Sequence, residues 1–377
     1  MYKIFCLFAF LSCFSCQNMS EKPKIVALYN LTGNQAELDS YSAQGAKLAF
    51  EDHPEVSLLL VNGKSDPEFL HKTAETLSKD KKIIAFFGLS DTDMVLAAAP
   101  PIVAKHKVFL TSGATSPLLP EKIPNYLYLL PFGDNTQAAA SAEYAIKDLH
   151  LKTACIIYDN YMEYARLLGV FFRNSFTHLG GNVVLMKSFS SVKDVNFIKM
   201  FQEMKEFSPS IDLIYIASGP EKAFSLLKEI RENGFTQPVF AGDSWDLDVW
   251  TNAKPNFVIG PLYFSTHVFL DKNSPDPEIR EFMRAYERKY KMNPTAFAAL
   301  GYDAANLLLD AIRRARSYQK EKIDEALAAT KDFVGVTGKI HYKTDQKVSE
   351  KPVSIVVVDE KGKRLAKKFI PEYVPEL

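Results

Sequence analysis

Cysteine is scarce in this chain of 377 residues, and three of its four cysteines, Cys6, Cys13 and Cys16, fall within the first sixteen positions. Cys155 is left alone in the body, so no intrachain disulfide framework can hold the fold together. An excess of charge is missing too. Forty-five basic residues stand against forty-five acidic ones, which leaves neither the electrostatic footprint of a nucleic-acid binder nor a polybasic membrane patch. The seven histidines are scattered, with none at ligand spacing to another or to Cys155, and this argues against a metal site. No G-x-G-x-x-G or Walker sequence occurs, so no nucleotide phosphate cradle is indicated. The nearest approach to a catalytic motif is "GDSWD" at 242–246, where Asp246 occupies the place of the last glycine of the nucleophile elbow G-x-S-x-G. Low-complexity tracts and short repeats are absent as well. The chain reads as a non-enzyme that holds no cofactor.

The N-terminal stretch "MYKIFCLFAFLSCFSC" has one lysine and then an apolar run too short to span a bilayer as a mature helix. It is expected to be a secretory signal over 1–15. Its end, "LSCFSC", resembles a bacterial lipoprotein signal, in which a cysteine is lipidated and becomes the new N-terminus. Cys16 is the first choice for that cysteine and Cys13 the second, with an ordinary cleaved signal as the alternative. Residues 16–23 would then be a tether. The body would lie outside the cytoplasm, periplasmic or at the cell surface and lipid-anchored to a membrane.

From residue 24 onward, short β-rich runs alternate with amphipathic stretches: "KIVALY", 42–52, "VSLLLV", 67–80, "KIIAFFG", 93–104 and "KVFLTS". After "NYLYLL" the pattern restarts with 136–149, "TACIIY", 163–179, "NVVLMK", 194–206, "DLIYIA", 221–233 and "PVFAG". Such alternation implies βαβ units and parallel sheets, and the length suits two lobes better than one core. Helices 277–290, 296–316 and 321–329, then "GKIHY" and "VSIVVVD", look like elements returning to sheets begun earlier. The expected fold class is therefore α/β, with two Rossmann-like lobes. Ligands in open α/β sheets bind outside the carboxyl ends of the strands, so the strand-end loops are the candidates.

The first loop lies in 31–52, where Gly33 and Gly45 flank an expected turn into the first helix. In "FFGLSDTD", Gly88 ends a buried strand, Ser90 or Asp91 can cap the next helix, and Thr92 stands in its first turn. A helix N-terminus attracts an anion, yet Asp91 and Asp93 are anions themselves and can use that terminus by self-capping. The third loop, "TSGATSP" at 111–117, is either a turn before Pro117 or a cradle of hydroxyls and backbone N–H groups around Gly113. The three tyrosines of "YDNYMEYARLL" can be core, surface or aromatic wall. In "FAGDSWD", Asp243 follows a strand directly and can hold a cation or cap a turn.

In their order, "LTG…QGAKLAFED", "FFGLSDT…LAAAP", "VFLTSGATSP", "FAGDSWD", "AALGYDAANLLLDAI" and "GVTGKI…KPVSIVVV" resemble the leucine/isoleucine/valine-binding proteins, the type I periplasmic binding proteins of ABC importers. The resemblance covers 24 to about 368. It implies two lobes joined by a three-segment hinge near 131–135, 264–268 and 341–346, closing on a ligand. Lobe one would be 24–131 plus 268–341 and lobe two 132–267 plus 342–377. It also implies an amino acid, branched-chain or related, held by its carboxylate at Thr92, Gly113, Ala114 and Thr115 and by its ammonium at Asp243, with Trp245 nearby. Tyr164 would cover the ligand, with Tyr161 as a rival. Leu38 would replace a ring over the side chain, and Ser218 would add a polar contact. Ser112 and Ser116 are left as turn makers. The partners implied are an ABC permease, a membrane reached through the lipid anchor, and no second copy of the chain. An amide, urea or aromatic acid in the same fold, or a sensory role, are the alternative readings.

Overall fold

In the computed structural model, residues 22–192, 197–252, 260–343 and 347–376 are described. The expected signal, Cys13 and Cys16, the start of helix 194–206 and the end of the third hinge segment lie outside them.

The run "KIVALY" is apolar without alternation, as a strand covered on both faces must be, and it forms β1 (Lys24–Tyr29). With β2 (Ser57–Asn62), β3 (Ile83–Gly88), β4 (Val108–Thr111) and β5 (Leu127–Leu129) it makes a parallel sheet in the order β2-β1-β3-β4-β5. Helices α1 (Ala36–Ala49), α2 (Pro67–Ser78), α3 (Thr92–Val103) and the short α4 (Leu119–Lys122) connect these strands.

The second sheet restarts with β6 (Thr153–Asp159), β7 (Asn182–Phe189), β8 (Leu213–Ala217), β9 (Val239–Ala241) and β10 (Leu262–Thr266). Between and before them run α5 (Asp134–Glu143), α6 (Glu163–His178), α7 (Ile198–Phe207), α8 (Pro220–Glu232) and the short α9 (Val249–Asn252). The chain then returns to the first sheet. Helices α10 (Pro277–Tyr290), α11 (Ala296–Ala315) and α12 (Lys320–Ala328) pack there, with Tyr290 donating to the Gln44 carbonyl (2.8 Å) and Tyr128 donating to Asp324 (2.7 Å). After the hairpin β11 (Phe333–Gly335) and β12 (Gly338–Ile340), a last passage delivers β13 (Val353–Asp359) and β14 (Gly362–Phe369) to the second sheet as antiparallel strands. Its order is β14-β13-β10-β9-β8-β6-β7. Two α/β lobes linked by three passages of chain result.

Two expectations need correction. The first helix begins at Ala36 and not near 42, so Gly45 lies inside α1 instead of flanking a loop. Its role is packing: a Cβ on Gly45 would stand 1.9 Å from the Ala298 carbonyl oxygen, and one on Gly301 would stand 1.9 Å from that of Ser42. Helices α1 and α11 thus touch backbone to backbone. The second correction is an omission, since β14, "GKRLAKKF", was not expected. It is an edge strand rich in lysine, the composition with which sheets protect their edges and the one least like a buried strand.

Candidate functional site

Across the cleft, the carboxyl ends of the two sheets enclose a small cavity. Gln35, Leu38, Ser90, Asp91, Thr115 and Phe297 wall it from the first lobe, and Met162, Tyr164, Gly219, Pro220, Asp243 and Ser244 from the second. Its volume is about 20 Å³, against the roughly 10–15 Å³ that a single water needs, so the lobes stand nearly shut. A charged contact spans the rim, where Lys122 Nζ donates to Glu163 Oε1 and Oε2 (2.6 and 2.8 Å). The Glu163 amide also donates to Asp93 Oδ2 (3.2 Å).

On the first lobe, Asp91 caps α3 by accepting from the Met94 amide through Oδ1 (3.0 Å), and its Oδ2 accepts from Gln35 Nε2 (3.3 Å). Behind it Asp39 Oδ2 accepts from the amide and the side chain of Asn30 (2.7 and 2.9 Å). Burial pushes Asp39 up to about 6. Burial, with the charges of Asp93 and Asp39 added, pushes Asp91 up to about 7.

Because Asp91 supplies the cap, Thr92 becomes the first residue of the helix. It is buried off the cavity wall with its hydroxyl unpartnered, and Ser90 and Asp91 take the place expected for it. The loop 111–117 folds back on itself. Ser112 and Gly113 amides donate to the carbonyls of Gly88 and Leu89 (3.0 and 3.2 Å), and the Ala114 amide donates to Thr111 Oγ1 (3.1 Å). Gly113 and Ala114 therefore do not reach the cavity with free donors. Glycine is required at 113 for another reason, because a Cβ would lie 2.6 Å from Ser90 Oγ. Of the three expected residues, Thr115 alone faces the cavity.

The second lobe centres on Asp243, in the turn after β9. Its Oδ1 accepts from Tyr164 Oη (2.8 Å) and Gln137 Nε2 (2.9 Å), while Oδ2 accepts from His267 Nε2 (2.9 Å). Burial alone would raise its pKa, but these donors outweigh it and hold Asp243 below the usual carboxylate value. Burial lowers the pKa of His267, so the imidazole is neutral and donates from Nε2. Gln137 is fully used: its Nε2 also donates to Asp134 Oδ1 (3.0 Å), and its Oε1 accepts from the Asp243 amide (3.0 Å) and Ser265 Oγ (2.6 Å). Burial and the nearby Asp243 push Asp134 up to about 8.

Tyr164 faces the cavity; Tyr161 is 63% exposed and does not. Ser218 does not face it either. Its hydroxyl accepts from Trp245 Nε1 (3.0 Å) and donates to the Gly219 carbonyl (3.2 Å), so it secures the floor of the site. Leu38 is on the wall, together with Phe297 and Met162. Gln35, Asp91, Gln137 and His267 went unread in the sequence as site residues. His267 stands one residue beyond β10 and stacks on Phe132 at 4.0 Å, which joins two of the three passages between lobes. A polar residue directly after a strand is a usable signal; Gln137, one turn into a helix, gives none. Among the described residues no group of three His, Cys, Asp or Glu could hold a metal ion, and no helix is long and apolar enough to cross a membrane. Cys155 is buried in β6, with its thiol pushed up to about 12 by burial.

A family model described as periplasmic binding protein matches residues 22–363. Among solved structures, the chain is similar to the leucine binding protein LivK of Thermotoga maritima, at 29% identity over 93% of this chain and 99% of that one, with a TM-score of 0.83. It has the same fold as LivJ of Streptococcus pneumoniae in complex with isoleucine (22% identity, 94% and 100% covered, TM-score 0.81). A solute binding protein of Rhodopseudomonas palustris in complex with 3,4-dihydroxy benzoic acid shares it as well (18% identity, 94% and 99% covered, TM-score 0.81). Among curated proteins no match was found.

Proposed function

We propose that this chain, which belongs to the periplasmic binding protein family, captures an amino acid between its lobes outside the cytoplasm and delivers it to an ABC importer. The ligand we favour is branched-chain or a related aliphatic amino acid. One observation carries the reading: Asp243, ionised and buried, faces a cavity on whose wall there is no Lys, Arg or His among the described residues. With His267 held below its ordinary value by burial, an ammonium brought by the ligand would supply Asp243 with a counter-charge. An aromatic acid such as the one bound by the Rhodopseudomonas palustris protein would bring a second anion and no cation. Leu38, Met162, Pro220 and Phe297 offer apolar surface to an aliphatic side chain. Thr115 and Tyr164 supply hydroxyls from opposite lobes, so a bound ligand touches both and favours the closed arrangement over the open one.

The hinge of this reading lies near 131–135, 264–268 and 341–346, with lobe one as 24–131 plus 268–341 and lobe two as the remainder, and the chain acts as a monomer anchored through Cys16. Calorimetry against the twenty amino acids, simple amides and benzoate tests it. Binding of an aliphatic amino acid that Asp243→Ala weakens is expected; benzoate or amide binding that Asp243→Ala leaves unchanged would reject it.

A further inference from the structure

The first-lobe wall poses an electrostatic problem. Asp91 faces the cavity with Asp39 behind it, and no positive side chain among the described residues shares that wall. Several donors near an incoming carboxylate are engaged, since the Met94 amide and Gln35 Nε2 are turned to Asp91 and the amides of Gly113 and Ala114 are spent inside their own loop, which leaves the hydroxyls of Ser90 and Thr115 as the neutral groups on that wall. An ionised Asp91 would set two like charges in one small, enclosed space, where Coulomb repulsion is weakly screened.

We propose that Asp91 is a ligand-contacting, specificity-determining residue whose carboxyl group, carrying a proton, donates a hydrogen bond to the carboxylate of the ligand, so that capture of an amino acid takes up one proton. The proposal rests on the amino-acid reading above and adds the chemistry of the opposite end. The proton comes from solvent, and the contact formed is an O–H···O⁻ hydrogen bond, the short and strong class. Every charged group around Asp91 bears on this balance. On its own helix stands Asp93, and from α1 come Asp39 and the amide of Gln35. Across the cleft α6 brings Glu163 and Arg166 toward Asp93, with Lys122 at the rim, while Tyr164 and Asp243 close the far wall backed by His267. The positive end of α3 favours the ionised form, yet burial outweighs it and Asp91 already stands at about 7. A second carboxylate moves it further up.

The test is calorimetry of the intact protein with the amino acid that raises its melting temperature most, in two buffers of different ionisation enthalpy, from pH 6 to 9. Uptake close to one proton is expected at pH 8, and Kd should rise about tenfold per pH unit above about 7. Asp91→Asn, which keeps an acceptor for the α3 cap, should flatten that slope and bind more tightly than the unaltered protein at pH 8.5. Affinity that is flat with pH, without proton uptake, overturns the proposal and leaves the amino-acid reading standing. A slope that survives Asp91→Asn and disappears in Asp134→Asn also overturns it, and assigns the proton to Asp134. Proton release on binding, with lysine or a diamine bound more tightly than aliphatic amino acids, makes Asp91 the partner of a cation instead. Failure of every amino acid to bind at any pH overturns the underlying reading and the proposal with it.

Discussion

Asp243 is held by three donors from three different elements, Tyr164 on α6, Gln137 on α5 and His267 after β10. Replacing it with Ala should weaken amino-acid binding by about 1–3 kcal/mol, the range for a lost charge-assisted hydrogen bond, as titration calorimetry would show. Tyr164→Phe removes one donor to Asp243 and one wall hydroxyl, and should weaken affinity by about 1 kcal/mol with little change in melting temperature. The strand-end rule drew attention to the loops of Asp243, Thr115 and Tyr164, and all three residues line the cavity. It failed for Thr92, whose place was taken when its neighbour Asp91 proved to be both helix cap and cavity wall. The resemblance put Ser218 in contact with the ligand, but its hydroxyl is claimed by the indole of Trp245, 27 positions later, and nothing in the chain order reveals that. Hydroxyl-rich loops announce a site but not which hydroxyl is free.

Among the elements, the crossing of α1 and α11 is the most demanding of its sequence. Ala at position 45 would drive a Cβ into the Ala298 carbonyl, so Gly45→Ala should destabilise by at least about 1–3 kcal/mol, the usual cost of overpacking, and a melting curve would report it. A melting temperature unchanged by Gly45→Ala would mean that the two helices can separate without loss. Most strands and helices could be read from periodicity, because buried parallel strands and amphipathic helices write strong patterns. Gly45 was misread as a turn, since in sequence a glycine that opens a loop and one that admits a second backbone look alike. The lysine-rich β14 hid its strand character for the opposite reason: half of its surface faces water and its pattern carries little apolar signal.

For the whole molecule, several buried aspartates among the described residues sit above their ordinary value, among them Asp39 at about 6, Asp91 at about 7 and Asp134 at about 8, with Asp303 raised too. Unfolded aspartate titrates near 4, so between there and these values the folded chain binds more protons, and stability falls as pH rises through that window. His267, below its ordinary value, and Lys351, pushed down to about 7 by burial, work in the other direction. The melting temperature of the ligand-free protein should accordingly be higher at pH 5.5 than at pH 7; an equal or lower value at pH 5.5 would mean that these carboxylates are solvated. The Lys122–Glu163 contact spans the rim, and Glu163→Gln should shift the lobes toward the open arrangement and raise the radius of gyration measured by small-angle scattering. The contact is partly exposed and its effect is small, under about 1 kcal/mol.

The closeness of α1 and α11 has a further consequence, for assembly of the chain. Ser42 Oγ donates to the carbonyl of Phe297, 255 positions later, and closing a loop of that length costs about 5 kcal/mol in chain entropy. The first lobe cannot be completed from the N-terminal segment alone, since α11, which packs on α1, is made only after β6 to β10 of the second lobe have been synthesised. The second lobe's parallel strands through β10 can pair while the first sheet still has an open face, and β13 and β14 reach the second sheet last of all, so a polypeptide emerging from the ribosome or from a membrane pore should hold two half-built lobes until its final segment is out.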